Sequence, residues 1–288
     1  LGKKRRSLSA VIHDGKLYAI GGNHGVHSKG YVQSVECYDF DAKRWTILSS
    51  DMHPDVKKSF GAVVHKGKLY SIVWNGKKNA MACYDIRKAT WTILPETMRT
   101  KRSRFGVAMH EGKLYVVGGC DAKGSPVNSV ECFDFSSKAW TSLPARMNFK
   151  RQDHGVAVLY RKLYVVGGRS AKTEHLDTTE CYDFKTGKWT IISAKMSTSR
   201  AHLGLVAHGY KLYAVGGRPN GTSTLDSVEC YDIRDGQWTS LAANMRTKRS
   251  LQGLVIREDP KGNKLLYVVG GADERGEVLD DAESLQVY

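Results

Sequence analysis

Two residue types recur along this chain at a spacing that could gather chemistry in one place. A cation stands at the same position of six successive segments, as Arg5, Lys57, Arg102, Arg151, Arg200 and Arg249, and a cysteine recurs as Cys37, Cys83, Cys132, Cys181 and Cys230. Guanidinium forks grip carboxylates bidentately, so gathered arginines would make an anion-recognition site. Gathered thiols would bind metal or form disulfides, but each cysteine belongs to a different segment and no Cys-X-X-Cys occurs, so neither a zinc cluster nor a disulfide framework fits. The sixth segment places Val287 at the cysteine position, and an aliphatic there marks the site as one for packing. Free thiols in this number point to a reducing compartment. Cys120 stands apart, following Gly118-Gly119 in a loop beside Lys123, where it reads as an exposed bystander with a reactive thiol as the alternative.

More side chains able to hold a partner lie close to the recurring cation. Two residues beyond it stand Ser7, Ser59, Arg104, Asp153, His202 and Leu251, and one further on stand Leu8, Phe60, Phe105, His154, Leu203 and Gln252. Asn23, Cys120, Arg169, Arg218 and Ala272 each follow a pair of glycines. The cation itself has two readings: a partner anchor, or a structural residue that hydrogen-bonds backbone carbonyls between segments. The variable positions favour recognition, since a purely structural rule would make them uniform.

The elements that position these residues come from one unit written six times. Its clearest strand is apolar and ends in two glycines, as in Lys16-Leu17-Tyr18-Ala19-Ile20-Gly21-Gly22, Lys113 to Gly119, Lys162 to Gly168, Lys211 to Gly217 and Leu265 to Gly271. A degenerate copy, Lys68 to Trp74, has Val73-Trp74 in place of the glycines. A polar loop follows, then Val-Glu-Cys-Tyr-Asp or a variant, then Trp45, Trp91, Trp140, Trp189 or Trp238. A period of about 50 residues with four short strands per unit is the pattern of a β-propeller blade. The third unit predicts strands over Ser103 to His110, Lys113 to Gly118, Ser129 to Phe135 and Ala139 to Leu143. A lone four-stranded sheet cannot bury both faces, so blades must stack, with Tyr and Trp filling the gaps; one such aromatic stabilises by roughly 1.5 to 3 kcal/mol.

The double glycine, the Val-Glu-Cys-Tyr-Asp strand, the Trp and the following Met-X-X-X-Arg-X-X-X-Gly resemble the Kelch repeats of the Kelch-like, or BTB-Kelch, family. The resemblance covers essentially the whole chain. It implies an all-β, six-bladed Kelch propeller with four-stranded antiparallel blades, approximately residues 1–48, 49–94, 95–143, 144–192, 193–241 and 242–288 of a single domain. The sixth unit stops at Leu285-Gln286-Val287-Tyr288, before any Trp strand, so a strand from outside or at the chain end is expected to close it. The upstream side is favoured.

The resemblance also implies a function: the substrate-recognition propeller of a cullin ubiquitin-ligase adaptor, with dimerisation and adaptor modules outside this chain. An actin-filament-binding or crosslinking Kelch domain is the alternative. In similar domains the turns leading into the innermost strands and the residues after the double glycine line a pocket for acidic or phosphorylated segments. Carried onto this sequence, that set comprises Arg5, Lys57, Arg102, Arg104, Arg151, Asp153, His154, Arg200, His202, Arg249, Gln252, Asn23, Arg169 and Arg218. The excess of 44 Lys and Arg over 29 Asp and Glu, a formal charge of +15, suits an acidic protein partner. Nucleic acid is not expected, because no stacking aromatics interleave the basic loops. No membrane contact is expected, since no apolar run approaches the roughly 20 residues of a spanning helix. Catalysis and cofactors are not expected either: sialidase-type boxes, Gly-X-Ser-X-Gly, a phosphate loop and a paired carboxylate are missing, and the ten His are dispersed. A cytoplasmic protein is the resulting expectation, with the cytoskeleton as the alternative.

Overall fold

A computed structural model describes residues 1–25, 30–49, 56, 58–171, 174–220 and 223–288. Its strands pair only with sequence neighbours, antiparallel throughout, in six sheets. The first holds β1 (Ser9–His13), β2 (Lys16–Ile20), β3 (Val35–Asp39) and β4 (Arg44–Ser49); the second β5 (Lys58–His65), β6 (Lys68–Trp74), β7 (Asn79–Asp85) and β8 (Thr90–Thr97). The third holds β9 (Gly106–His110), β10 (Lys113–Val117), β11 (Val130–Asp134) and β12 (Ala139–Ser142); the fourth β13 (Gly155–Leu159), β14 (Lys162–Val166), β15 (Thr179–Asp183) and β16 (Lys188–Ile192). The fifth comprises β17 (Gly204–His208), β18 (Lys211–Val215), β19 (Val228–Asp232) and β20 (Gln237–Ser240), and the sixth has three strands, β21 (Gly253–Glu258), β22 (Lys264–Val269) and β23 (Ala282–Val287). These are the blades of a six-bladed β-propeller fold, and no helix occurs among the described residues. The chain divides into two compact units, Leu1–Met98 with Leu251–Tyr288, and Arg99–Ser250.

Within the second unit the blades stack as the aromatic pattern requires. Tyr182 and Trp189 face each other across β15 and β16 at 5.3 Å between ring centroids, and both join the core built on Ala108, Tyr115 and Cys132 of the preceding blade. Tyr231 and Trp238 repeat the arrangement against Ala157, Tyr164 and Cys181. β9 and β13 each begin with a glycine because the next blade presses on it: a Cβ on Gly106 would overlap Val156, and one on Gly155 would overlap Leu205.

The five recurring cysteines are free and buried, each opposite the tyrosine of the apolar strand, as in Tyr115↔Cys132 and Tyr213↔Cys230. Burial pushes their thiols up, to about 11 for Cys132 and Cys230, which makes them poor nucleophiles. In the sixth blade Tyr267 pairs with Ser284, so the serine, not Val287, holds the cysteine position. Glu283 correspondingly falls where Glu36 falls in the first blade, one residue earlier.

The second blade departs from the others for a local reason. Val73 and Trp74 cannot take the left-handed turn of two glycines, so β6 continues to Trp74, which pairs with both Lys58 and Asn79. Its loop shrinks to Asn75–Lys78, closed by the Asn75 Oδ1 accepting from the N–H groups of Lys77 and Lys78.

Candidate functional site

The recurring arginines are structural. Arg5, Arg151, Arg200 and Arg249 are fully buried and Arg102 nearly so. Arg151 donates through Nη1 to the carbonyls of Gly167 at 2.8 Å and Thr178 at 3.2 Å, and through Nη2 to Glu180 Oε1 at 2.8 Å. Arg200 makes the same set with Gly216, Ser227 and Glu229, and Arg102 with Gly118, Ser129 and Glu131. Arg5 holds Gly21, Ser34 and Glu36. The other carboxylate oxygen of each Glu receives a backbone N–H from an approaching loop, Gly2 on Glu36, Arg99 on Glu131, Asn148 on Glu180 and Ser197 on Glu229. Each pair therefore ties a loop to the glycine turn and the third strand of its blade. The expectation that Arg5, Arg102, Arg151, Arg200 and Arg249 contact a partner is thereby corrected, since a buried guanidinium cannot reach one. Lys57 lies outside the described residues.

The double glycine sits where these elements meet. Gly118 and Gly119 take φ values of 58° and 90°, conformations that favour glycine. A Cβ on Gly118 would lie 2.7 Å from the carbonyl oxygen of Arg151 and 2.8 Å from His154. Gly119 donates to that same Arg151 carbonyl at 2.9 Å, which joins the third blade to the fourth. His154 is thus filling space beneath the turns: it is buried, and burial with the nearby Arg151 charge lowers its imidazole to about 3. Its expected partner contact, and that of the buried Gln252, are corrected on the same ground.

Among the described residues of the expected set, the charged side chains that stay at least partly exposed lie in the second unit. Arg104, Asp153 and His202 occupy one repeat position in three successive blades, all with left-handed φ of 57°, 55° and 57°. Their backbones form a chain of hydrogen bonds, Asp153 N–H to the Arg104 carbonyl at 2.9 Å and His202 N–H to the Asp153 carbonyl at 2.8 Å. This geometry brings the side chains together. The Asp153 carboxylate accepts from Arg169 Nε at 2.9 Å and lies 3.3 Å from both Arg104 Nη1 and His202 Nδ1. Burial resists its ionisation, but His202, Arg104 and Arg169 outweigh it and hold the carboxyl at about 2. Asp153 is only 7% exposed, whereas Arg104 is 48% exposed and Arg169 16%.

Beside this cluster opens a cleft of about 460 Å³, lined by Ser103, Arg104, Cys120, Asp121, Ala122, Gly124, Pro126, Gln152 and Arg169. Cys120 forms its floor, buried and bridged to Ser103 through both backbone groups and an Oγ···Sγ contact of 3.2 Å, so it is not the exposed bystander expected. Ser103 and Gln152 were missed because a single residue beside a recurring arginine has no pattern of its own. Arg218 is partly exposed, with its carbonyl accepting from or facing His175 Nδ1 at 3.0 Å. Asn23 lies in the first unit, where its Oδ1 accepts from Arg6 Nε at 2.9 Å. Of the positions equivalent to Arg104 in that unit, Ser7 and Leu251 are again left-handed and joined by a 2.7 Å backbone bond, but uncharged.

Two partly exposed guanidinium groups, those of Arg104 and Arg169, are thus fixed by one nearly buried carboxylate at the edge of a cleft. The Kelch propeller is typically a non-catalytic interaction fold, and among the described residues no group of His, Cys, Asp and Glu is arranged to hold a metal. The Kelch motif matches residues 4–52, 101–146, 150–196 and 199–245, well over half of the sequence. The chain belongs to the Kelch-repeat family, and no helix of the described residues is long and apolar enough to cross a membrane.

Proposed function

We propose that this chain recognises an acidic segment of a partner protein in the cleft beside Arg104 and Arg169, as the substrate-recognition propeller of a cullin ubiquitin-ligase adaptor. The observation that carries the binding site is the convergence of Arg104, Arg169 and His202 on one buried carboxylate at the cleft edge. Both guanidinium groups keep N–H donors beyond those spent on Asp153, in the fork geometry that suits a carboxylate. The formal charge of +15 favours the approach of such a partner from a distance. The ligase role rests on the resemblance to Kelch-like proteins, which couple their propellers to adaptor modules elsewhere in the chain.

Random-peptide display on the wild-type propeller tests this. Peptides enriched in Asp or Glu are expected, and Arg104→Ala with Arg169→Ala should lose them while remaining folded by circular dichroism at the assay temperature. A pool without acidic enrichment, or one retained by the double variant, overturns the reading. Co-sedimentation with filamentous actin in low salt provides the contrast: pelleting that survives the double variant would replace the peptide site with an actin-binding surface.

A further inference from the structure

Asp153 is an unexpected residue to find inside an anion site, since it carries the same sign as the group the cleft is to hold. We propose that Asp153 is a positioning residue that sets the charge of the cleft, so that the site takes a carboxylate side chain in preference to a phosphate group. This rests on the reading of the cleft as the site for an acidic segment.

Two guanidinium groups brought this close repel and would splay apart without a shared counter-charge. Asp153 supplies it. The carboxylate takes a single N–H from Arg169, through Nε, and faces one Nη nitrogen of Arg104, leaving each fork's remaining donors for a ligand. The carboxylate is held by the side-chain contacts to Arg169 and Arg104, on a backbone bonded on both sides to Arg104 and His202. Of the two guanidinium charges it cancels one, and one remains. A carboxylate ligand balances that charge. A phosphate ester carries close to two negative charges and would set the second against the fixed, 7% exposed Asp153 carboxylate. The rest of the lining offers no relief, as it adds a second carboxylate, Asp121, whose Oδ1 accepts from the backbone N–H groups of Lys123 and Ser125.

The test uses a peptide recovered by display on the wild type, synthesised with its acidic anchor residue as Glu or as phosphoserine and titrated at pH 8. The wild type is expected to bind the Glu form at least tenfold more tightly. Asp153→Asn removes the cancelling charge and suits the left-handed backbone, and His202→Lys sets a permanent charge at the same place while keeping Asp153. Each is expected to reduce the preference at least tenfold, and circular dichroism melts establish that they fold; should Asp153→Asn fail to fold, His202→Lys decides. Equal binding of both forms by the wild type, a phosphoserine preference, or a ratio unchanged in the folded variants would overturn the inference while leaving the acidic-segment site standing. Failure to recover any acidic peptide would instead remove that site and the inference together.

Discussion

At the scale of single residues, one residue type performs two tasks that burial separates. Arg151 and Arg104 are both arginines near the same turns, yet the first is fully buried on Glu180 and two carbonyls and the second is half exposed. Removing one partner of a buried pair leaves an uncompensated charge, so Arg151→Ala should cost about 3–5 kcal/mol in urea unfolding. Arg104→Ala gives up only a partly exposed pair and should cost less than about 1 kcal/mol. His154 gives a second expectation, in pH. Its imidazole is held at about 3 in the fold against an ordinary value of 6.5, so the unfolded chain takes up its proton first as pH falls. The stability it confers is complete above about pH 6.5 and declines as pH falls toward 3; the loss reaches roughly 2 kcal/mol by pH 5. His154→Gln should flatten that part of the acid limb in a urea series at successive pH values. An unchanged limb would mean that the imidazole is not held neutral. Which arginine serves which purpose could not be read from the sequence, because the recurrence that exposed the position is the mark of its structural role.

At the scale of elements, the strands were legible because their ends are written in residues that must turn. The third blade shows where that reading overran: Ser103 to His110 shortens to Gly106–His110, since Arg104 takes a left-handed conformation that no strand continues through. Lys113 to Gly118 loses its glycine for the same reason. In the sixth blade the terminal Val-Tyr mimics the Cys-Tyr of other copies, and only the pairing of Tyr267 with Ser284 reveals the register. Glycine substitutions test these turns. Gly118→Ala would drive a Cβ to 2.7 Å from the Arg151 carbonyl at a φ of 58°, and should cost about 3 kcal/mol or more. Gly124 shares a positive φ of 82° but faces open space, so Gly124→Ala should cost only about 1 kcal/mol. Comparable losses in thermal melts would show that backbone strain alone, and not the contact between blades, makes Gly118 necessary.

At the scale of the whole molecule, fold and family were legible from repetition alone, whereas the site was half legible. Arg104, Asp153, His202 and Arg169 were all named by position, but their convergence on one carboxylate depends on three left-handed residues bonded in series, which no spacing announces. The net charge of +15 belongs to this scale too. Attraction between exposed charges is screened within about 8 Å at physiological ionic strength, so peptide affinity should fall as salt rises from 50 to 500 mM, chiefly through the association rate. A salt-independent affinity would indicate an apolar contact in place of a charged one.

The location of the site is the claim on which the functional account depends, and hydrogen–deuterium exchange with and without a display-selected acidic peptide measures it directly. Protection is expected in residues 103–105, 119–126, 151–154 and 168–170, the segments that carry the cleft and the Asp153 cluster. Protection confined to the short turns between paired strands, such as 110–112, 160–161 and 209–210, would place the partner elsewhere and contradict the account.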